Sequence, residues 1–449
     1  MTEKRAHFAT RLGAIATTVG SAVGLGNIWR FPYEAGVNGG GAFLLIDLFF
    51  VFVIGIPVVC AEFIIGRNTG LNIRGAFKKL APGKSWALIG YMGILASILI
   101  LSFYSVVAGW TLEYLRLSIV GFGAENSVDS FHSRFDTFAT SDISPVICTL
   151  LFLFINYVIV IRGVQRGIEK MSNIMMPILF ILLVVFCINS LMLPGASQGL
   201  SFLFNPDFSK VTPSVMIGAM GQAFFSLSLG LGCLITYSSY FKKDTPLLKT
   251  AGIMASIDTM VAILAGIIIF PAVFTFGMEP AAGPRLVFEI LPSIFTQLPG
   301  STIWSILFFF LLFLASLSST ISMSEISIAY LVDEFDMSRR KATTIIISIA
   351  MVLGVLCALS FGSLSGVTVF GLTFFNLFDY ISSNILLPIG GMFISIFVGY
   401  VLDRSIVKKE LSPKSSHREL TGMRLVILCL RYIAPICIAA VFLYSLGIF

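Results

Sequence analysis

Apolar runs of about twenty or more residues, separated by short clusters of charged or turn-forming residues, recur along the whole chain. They lie near 8–36, 41–67, 86–121, 144–161, 168–193, 213–240, 248–277, 300–332, 341–361, 374–403 and 422–448. Lipid cannot hydrogen-bond a free N–H or C=O, so runs of this length predict helices that satisfy their own backbones. The alternation that a membrane barrel needs is absent. The pattern predicts an all-α polytopic membrane protein with eleven transmembrane helices.

Two runs interrupt their own pattern. The first holds GSAVGLGNIWRFP, Gly20 to Pro32, and the sixth holds GQAFFSLSLGLGC, Gly221 to Cys233. Each carries Gly-Leu-Gly in mid-run, at Gly24 to Gly26 and at Gly230 to Gly232. One such triplet is compatible with close helix packing, because small residues let backbones approach. Two triplets, in the first helices of two successive five-span halves, point to matched unwound helices and a transporter with its site near the midplane. Unwinding frees N–H groups that suit a carboxylate and C=O groups that suit Na⁺ or an ammonium. Asn27, Ser226 and Ser228 add polar side chains at the same places.

Composition agrees with the membrane reading: 57% of the 449 residues are hydrophobic and 12% charged, with a mean hydropathy of +0.96. One set of alternate loops holds Lys4, Arg5, Arg11, the Arg67–Lys84 cluster, Arg162, Arg166, Lys170, Lys242, Lys243, Lys249, Arg339, Arg340, Lys341 and the Arg404–Arg424 cluster. That bias predicts a cytoplasmic N-terminus and, with an odd number of spans, Phe449 outside. It accounts for the net charge of +6 without nucleic acid. No cleavable signal is expected, since the run after Arg11 leads into Asn27 and Arg30 instead of a cleavage site. The seven cysteines fall in apolar runs without CxxC spacing and read as core residues. His7, His132 and His417 lie at the terminus or in loops, and HExxH, GxSxG and Walker patterns are absent. An enzyme is not expected.

GSAVGLGNIWRFPYEAGVNGGGAF, FFSLSLGLGCLITYSSY and FLASLSSTIS resemble the signature segments of the neurotransmitter:sodium symporter family. The likeness runs from about Arg5 to Arg431, and its pattern is nearest the eleven-span multi-hydrophobic amino-acid or tyrosine transporters. It implies a LeuT-type fold of two inverted five-helix repeats (5+5), spans 1–5 over 8–193 and spans 6–10 over 213–403, plus one additional span over 422–448. The implied activity is Na⁺-coupled amino-acid uptake in a bacterial inner membrane.

Residue by residue, the resemblance implies a first sodium site from the carbonyl of Ala22 with Asn27, Ser226 and Asp258. A second would use carbonyls of Gly20, Val23 and Ala315 and the hydroxyls of Ser318 and Ser319. All are oxygen donors, as a hard cation requires, although Ser318 and Ser319 are also compatible with ordinary back-bonding to a helix carbonyl. Many family members carry Asn where Asp258 stands, and several bacterial members carry an acid where this chain has Ala262. Asp258 is thus the expected source of negative charge, and chloride-independent transport is expected. A carboxylate in mid-span costs about 2.5–3.5 kcal/mol on insertion scales unless something such as a bound cation compensates it.

For substrate, the resemblance implies a carboxylate clamp from the amides of Leu25 and Gly26 and the Tyr104 hydroxyl. The amine would meet Ala22, Phe225, Ser226 and Ser228. Ile100, Phe225, Leu231, Ser319 and Met323 would line an apolar side-chain pocket, suiting a neutral, hydrophobic or aromatic L-amino acid. Arg30 with Asp379 is the implied extracellular gate, under which Phe225 forms a lid. Arg5 with Asp333, assisted by Ser239 and Tyr240, is the implied cytoplasmic gate, with Phe8 in place of the family's Trp. Glu62 is implied to brace the unwound backbone of span 6. Gly167 and Pro177 weaken the start of span 5, implying a release route for the second sodium. The stretch from Pro280 to Gly300 is similar to the family's external hairpin.

The partners expected are an amino acid, two sodium ions and the bilayer, with a homodimer left open. A proton-coupled or exchange transporter of the same fold, or a non-transporting membrane binding protein, remain alternatives on sequence alone.

Overall fold

A computed structural model of the protein describes residues 7–122, 127–277, 286–297, 300–413 and 416–448. It is almost wholly helical, and one isolated bridge, Val369 to Leu372, is the extended pairing among the described residues. The principal helices are α1 (Arg11–Ala22), α2 (Gly26–Val37), α3 (Gly41–Thr69), α4 (Ala87–Val120), α5 (Ser144–Val160), α6 (Val164–Leu191) and α7 (Pro213–Ser226). They continue as α8 (Cys233–Ser238), α9 (Leu247–Thr275), α10 (Ser301–Phe335), α11 (Arg339–Leu359), α12 (Phe374–Val401) and α13 (Glu419–Ser445).

Among the described residues, eight helices are long and apolar enough to cross a membrane: α3, α4, α6, α9, α10, α11, α12 and α13. Two bent pairs raise the number to ten if each crosses once. One is α1 with α2, bent by 52°. The other joins Asp129–Ala139 to α5 at 75°. The sixth predicted run is divided between α7 and α8, each too short to be counted this way.

Helix ends fall where local chemistry ends them. Thr10 accepts from the Gly13 N–H at 2.8 Å and opens α1; Thr212 does the same for α7, whose first residue is Pro213. Gly70, in the left-handed region, closes α3. Short helices Ile73–Leu80, Val128–Ala139, Ala196–Phe204 and Arg404–Leu411 were not expected from the run pattern. They are amphipathic or brief, so no twenty-residue apolar window marks them.

The most hydrophobic window of α4 and of α10 is 72% buried, against 28% for α13. The first two are therefore internal and the last is peripheral. α1 packs on α6, α9 and α10, while α7 and α8 pack on α3. Both interrupted helices thus lie inside the bundle. Leu95, Ile147, Leu151, Phe154, Ile181 and Ile188 face outward, as a lipid-facing shell requires.

Candidate functional site

Between α1 and α2 the chain leaves the helix at Val23, which is extended at φ −67°, ψ 110°. It re-enters at Gly26 in a wide π turn that ends at Arg30. Close approach explains the glycines. A Cβ on Gly24 would lie 2.5 Å from the Ser319 hydroxyl and 3.1 Å from that of Tyr104; one on Gly26 would lie 3.1 Å from the Phe225 ring. Between α7 and α8, Gly230 and Gly232 take φ +81°, and Ser228 holds a left-handed φ of 54°, a conformation that non-glycine residues adopt at a cost. The Gly230 N–H donates to Glu62 Oε1 at 2.8 Å, and the N–H groups of Leu234 and Ile235 are turned toward the same carboxyl. Glu62 therefore braces the break, as its position in span 2 suggested.

The two breaks meet. Ser228 Oγ donates to the Ser21 carbonyl at 3.2 Å. Asn27 Nδ2 donates to Ser226 Oγ at 3.1 Å and to Asp258 Oδ1 at 2.8 Å, and Ser226 Oγ donates to Asp258 Oδ2 at 2.5 Å. The side chains expected at the first sodium site are thus one buried cluster, joined by α1, α2, α7 and α9. Asn27 Oδ1, expected to face the ion, instead accepts from the Gly24 N–H at 3.0 Å. A half-turn of the carboxamide exchanges its oxygen and nitrogen.

The second oxygen cluster joins α1 to α10. Ser318 Oγ lies 3.2 Å from the Val23 carbonyl and 2.9 Å from that of Ala315; Ser319 Oγ lies 3.4 Å from both. Back-bonding within α10 and a link to the broken helix therefore coexist. Gly20 packs beside Ser318 and Met176. Met176 precedes Pro177, so α6 closes over this cluster. α6 is wound in this structure, beginning with a π turn over Val164–Glu169 that includes Gly167. The second cluster offers oxygen alone, and the first does so once the Asn27 carboxamide turns its oxygen inward; oxygen is the donor set that Na⁺ takes.

Above and between them lies a cavity of about 360 Å³. Its lining includes Ala22, Leu25, Gly26, Ile100, Tyr104, Phe225, Ser226, Ser228, Leu231, Ser319 and Met323, every substrate residue expected from the sequence. The Leu25 N–H points at the Tyr104 hydroxyl at 3.1 Å, so the clamp elements converge. The cavity also reaches outward along Phe103, Val107, Phe375, Asn384 and Leu387, which sequence reasoning missed. A signal existed for two of them: Ile100, Phe103, Tyr104 and Val107 follow i, i+3, i+4, i+7 on one face of α4.

At the outer end, the Arg30 guanidinium sits 4.1 Å from the Phe225 ring centroid and 3.9 Å from Glu34 Oε1. Asp379 lines the same cavity but accepts from Ser383 at 2.8 Å. Arg30 and Asp379 are not within ion-pairing distance here, so the expected outer pair is not made in this structure.

Arg5 lies outside the described residues, and with it the expected inner pair. Asp333 accepts from the Asn72 N–H at 2.8 Å. Ser239 and Tyr240 are buried. The Phe8 N–H donates to the Tyr240 carbonyl at 3.0 Å, and its ring packs edge-on against Tyr237 and Tyr240. Phe8, Tyr237, Tyr240 and Phe241 thus form one aromatic cluster. Sequence reasoning missed its polar neighbour: buried Glu325 accepts from the Tyr240 hydroxyl at 2.7 Å and from Arg339 at 2.6 and 3.0 Å. Also missed was Glu169, which accepts from the Ala9 and Thr10 N–H groups and ties the start of α1 to α6. Of the external hairpin, Pro280 to Pro284 lie outside the described residues, while Leu291–Thr296 form a short buried helix.

A family model described as "Sodium:neurotransmitter symporter family" matches residues 5–125 and 125–449. The uncharacterized sodium-dependent transporter YhdH of Bacillus subtilis is 39% identical over 446 residues, covering 99% of each chain. The human sodium- and chloride-dependent GABA transporter 2 is 28% identical, over 99% of this chain and 80% of its own. Among solved structures, MhsT in complex with L-phenylalanine superposes with a TM-score of 0.90 at 46% identity, covering 98% of this chain and 100% of that one. The chain belongs to the sodium:neurotransmitter symporter family and is a sodium-dependent membrane symporter.

Proposed function

We propose that the protein carries a neutral hydrophobic or aromatic L-amino acid into a bacterial cell with two Na⁺, by alternating access and without chloride. The observation that carries this reading is the convergence of both helix breaks on one cavity with an apolar side wall and a polar floor. Leu25, Gly26 and Tyr104 would hold the carboxylate. The carbonyls freed near Ala22 and Phe225, with Ser226 and Ser228, would hold the amine. Ile100, Phe225, Leu231 and Met323 would receive an uncharged side chain, in keeping with a close structural relative that binds L-phenylalanine.

Asp258, Asn27, Ser226 and the Ala22 carbonyl would hold one sodium beside the substrate. Gly20, Val23, Ala315, Ser318 and Ser319 would hold the other, and unwinding of α6 around Gly167 and Pro177 would release it. Arg30 with Asp379, and Arg5 with Asp333 together with Ser239 and Tyr240, would close the outer and inner paths in turn. A half-exposed ion pair is worth about a kcal/mol or less, which suits a gate. The proposal includes eleven spans in two inverted repeats plus one, counting α7 with α8 as a broken span, with a cytoplasmic N-terminus and Phe449 outside.

The driving force suffices. At 100 mV and a tenfold gradient each Na⁺ supplies about 3.7 kcal/mol, so two support roughly 10⁵-fold accumulation of a zwitterion. The test is binding and proteoliposome uptake of the twenty amino acids with and without Na⁺, at several pH values. Saturable, sodium-dependent uptake of hydrophobic or aromatic members is expected. Uptake that follows a pH gradient and ignores Na⁺ would instead establish the proton-coupled alternative.

A further inference from the structure

Arg431 belongs to none of the groups described above. It is the single charged residue of the apolar run from Leu425 to Phe449, and the helix around it is not regular. α13 carries a wide π turn over Cys429–Ile433 and α12 carries another over Phe397–Val401; turns of this kind inside α-helices often mark functional positions. The two face each other. Arg431 Nε donates to the Gly399 carbonyl at 2.5 Å, and the Tyr400 hydroxyl donates to the Arg431 carbonyl at 2.9 Å. Gly399 permits the approach, since a Cβ there would lie 3.1 Å from Arg431 Cγ and 3.2 Å from the Leu430 carbonyl.

This contact uses one N–H of a group that has five. The rest of the guanidinium lies over Tyr400, its carbon 5.1 Å from the ring centroid. Among the described residues no carboxylate is within ion-pairing distance of Arg431. An arginine that only satisfied a wide turn would need neither its charge nor its outer fork, and one that only snorkelled would extend toward water. This one is pinned to Gly399 with both outer nitrogens left over.

Depth indicates what meets them. Gly399 lies in the last turn of α12, just before Asp403 and the basic helix Arg404–Leu411; Asp379, in the cavity lining, is at the other end of α12. Arg431 is therefore near the membrane boundary on the basic side, the cytoplasmic one in the orientation proposed above. Tyr400 and Tyr432 beside it are 53% and 56% exposed, with rings edge-on at 6.5 Å, and Tyr is favoured at the headgroup level. Ile436, one turn further into the bilayer on the same side of α13 as Tyr432, is exposed as well.

We propose that Arg431, with Tyr400 and Tyr432, binds the headgroup of an anionic phospholipid. The phosphate oxygens take the free guanidinium fork, which matches them in pairs, and the acyl chains lie along Tyr432 and Ile436. The site rests on α12 and α13 crossing the bilayer and is independent of the substrate and ions proposed above.

The experiment reconstitutes the full chain with phosphatidylglycerol or with diglucosyldiacylglycerol of the same acyl chains, transfers it to mild detergent, and counts retained lipid by native mass spectrometry. Wild type is expected to keep one phosphatidylglycerol at least fivefold more often than the phosphate-free glycolipid. R431Q is expected to lose that excess, whereas R424Q, which removes an exposed arginine earlier on α13, should keep it. The unfolding midpoint of wild type should be higher in phosphatidylglycerol than in the glycolipid, and R431Q should abolish the difference. Retention of phosphatidylglycerol by folded R431Q at the wild-type level overturns the proposal. So does equal retention of both lipids by wild type, a comparison that stands whether or not R431Q folds.

Discussion

A methyl group on Gly24 has nowhere to go. Ser319 and Tyr104 close on that position from α10 and α4, and both line the cavity. G24A is therefore expected to push these side chains from the clamp and weaken L-phenylalanine binding at least tenfold, about 1.4 kcal/mol, as read by equilibrium binding in saturating Na⁺. At the sodium cluster, D258N keeps a hydrogen-bonding side chain but removes the charge that a cation would meet. Its half-saturating Na⁺ for substrate binding should rise tenfold or more, while binding at very high Na⁺ persists. An unchanged sodium titration would remove Asp258 from the site. Both positions are legible in the sequence, because a glycine triplet and an acid in apolar runs are each anomalous there. Why Gly24 excludes a methyl group is not legible, since Ser319 lies 295 residues away.

The interrupted helices are elements that depend on braces from elsewhere. The carboxyl of Glu62 stands in for the missing turn by accepting from Gly230. E62A leaves that buried N–H unpaired, at about 1–3 kcal/mol, whereas E62Q retains an acceptor. The expected outcome is loss of uptake and a lower unfolding midpoint for E62A, with E62Q close to wild type. On the inner side, Arg339 at the start of α11 reaches Glu325 on α10 and the Val160 carbonyl at the end of α5. R339A leaves a buried carboxylate with the Tyr240 hydroxyl but without its cation, which costs about 3–5 kcal/mol, and should lower thermal stability far more than R340A. The sequence shows Glu325 as an odd acid in an apolar run but not its partners, because Tyr240 lies 85 residues before it and Arg339 at the start of the next helix.

At the scale of the molecule, the two oxygen clusters stitch the bundle together: one joins α1, α2, α7 and α9, the other joins α1 to α10. Ions that bind only this assembled form stabilise it by mass action, about 2.7 kcal/mol at a concentration one hundred times the dissociation constant. Replacing Na⁺ with choline should therefore lower the unfolding midpoint of the purified protein, and in D258N the shift should shrink. The outer arm of the cavity, with Arg30 turned to Phe225 and Glu34, is likewise a property of the packed bundle. No single helix contains it.

What the sequence determined by itself is what one chain segment can express: helices from unbroken apolar runs, their interruption from glycines in mid-run, and the side chains that belong beside those interruptions. The amphipathic helix Val128–Ala139 escaped that reading because its apolar face needs a partner to become visible. Only the tertiary structure decided that the two breaks share one depth, that Asn27 turns its nitrogen to Asp258, and that Arg30 leaves Asp379 unpaired from it. The physical reason is the same in each case. Hydrophobicity is a property of a residue and its near neighbours in the chain, whereas a hydrogen bond, an ion pair or an unsatisfied carboxyl is a property of what another helix places within about 3 Å.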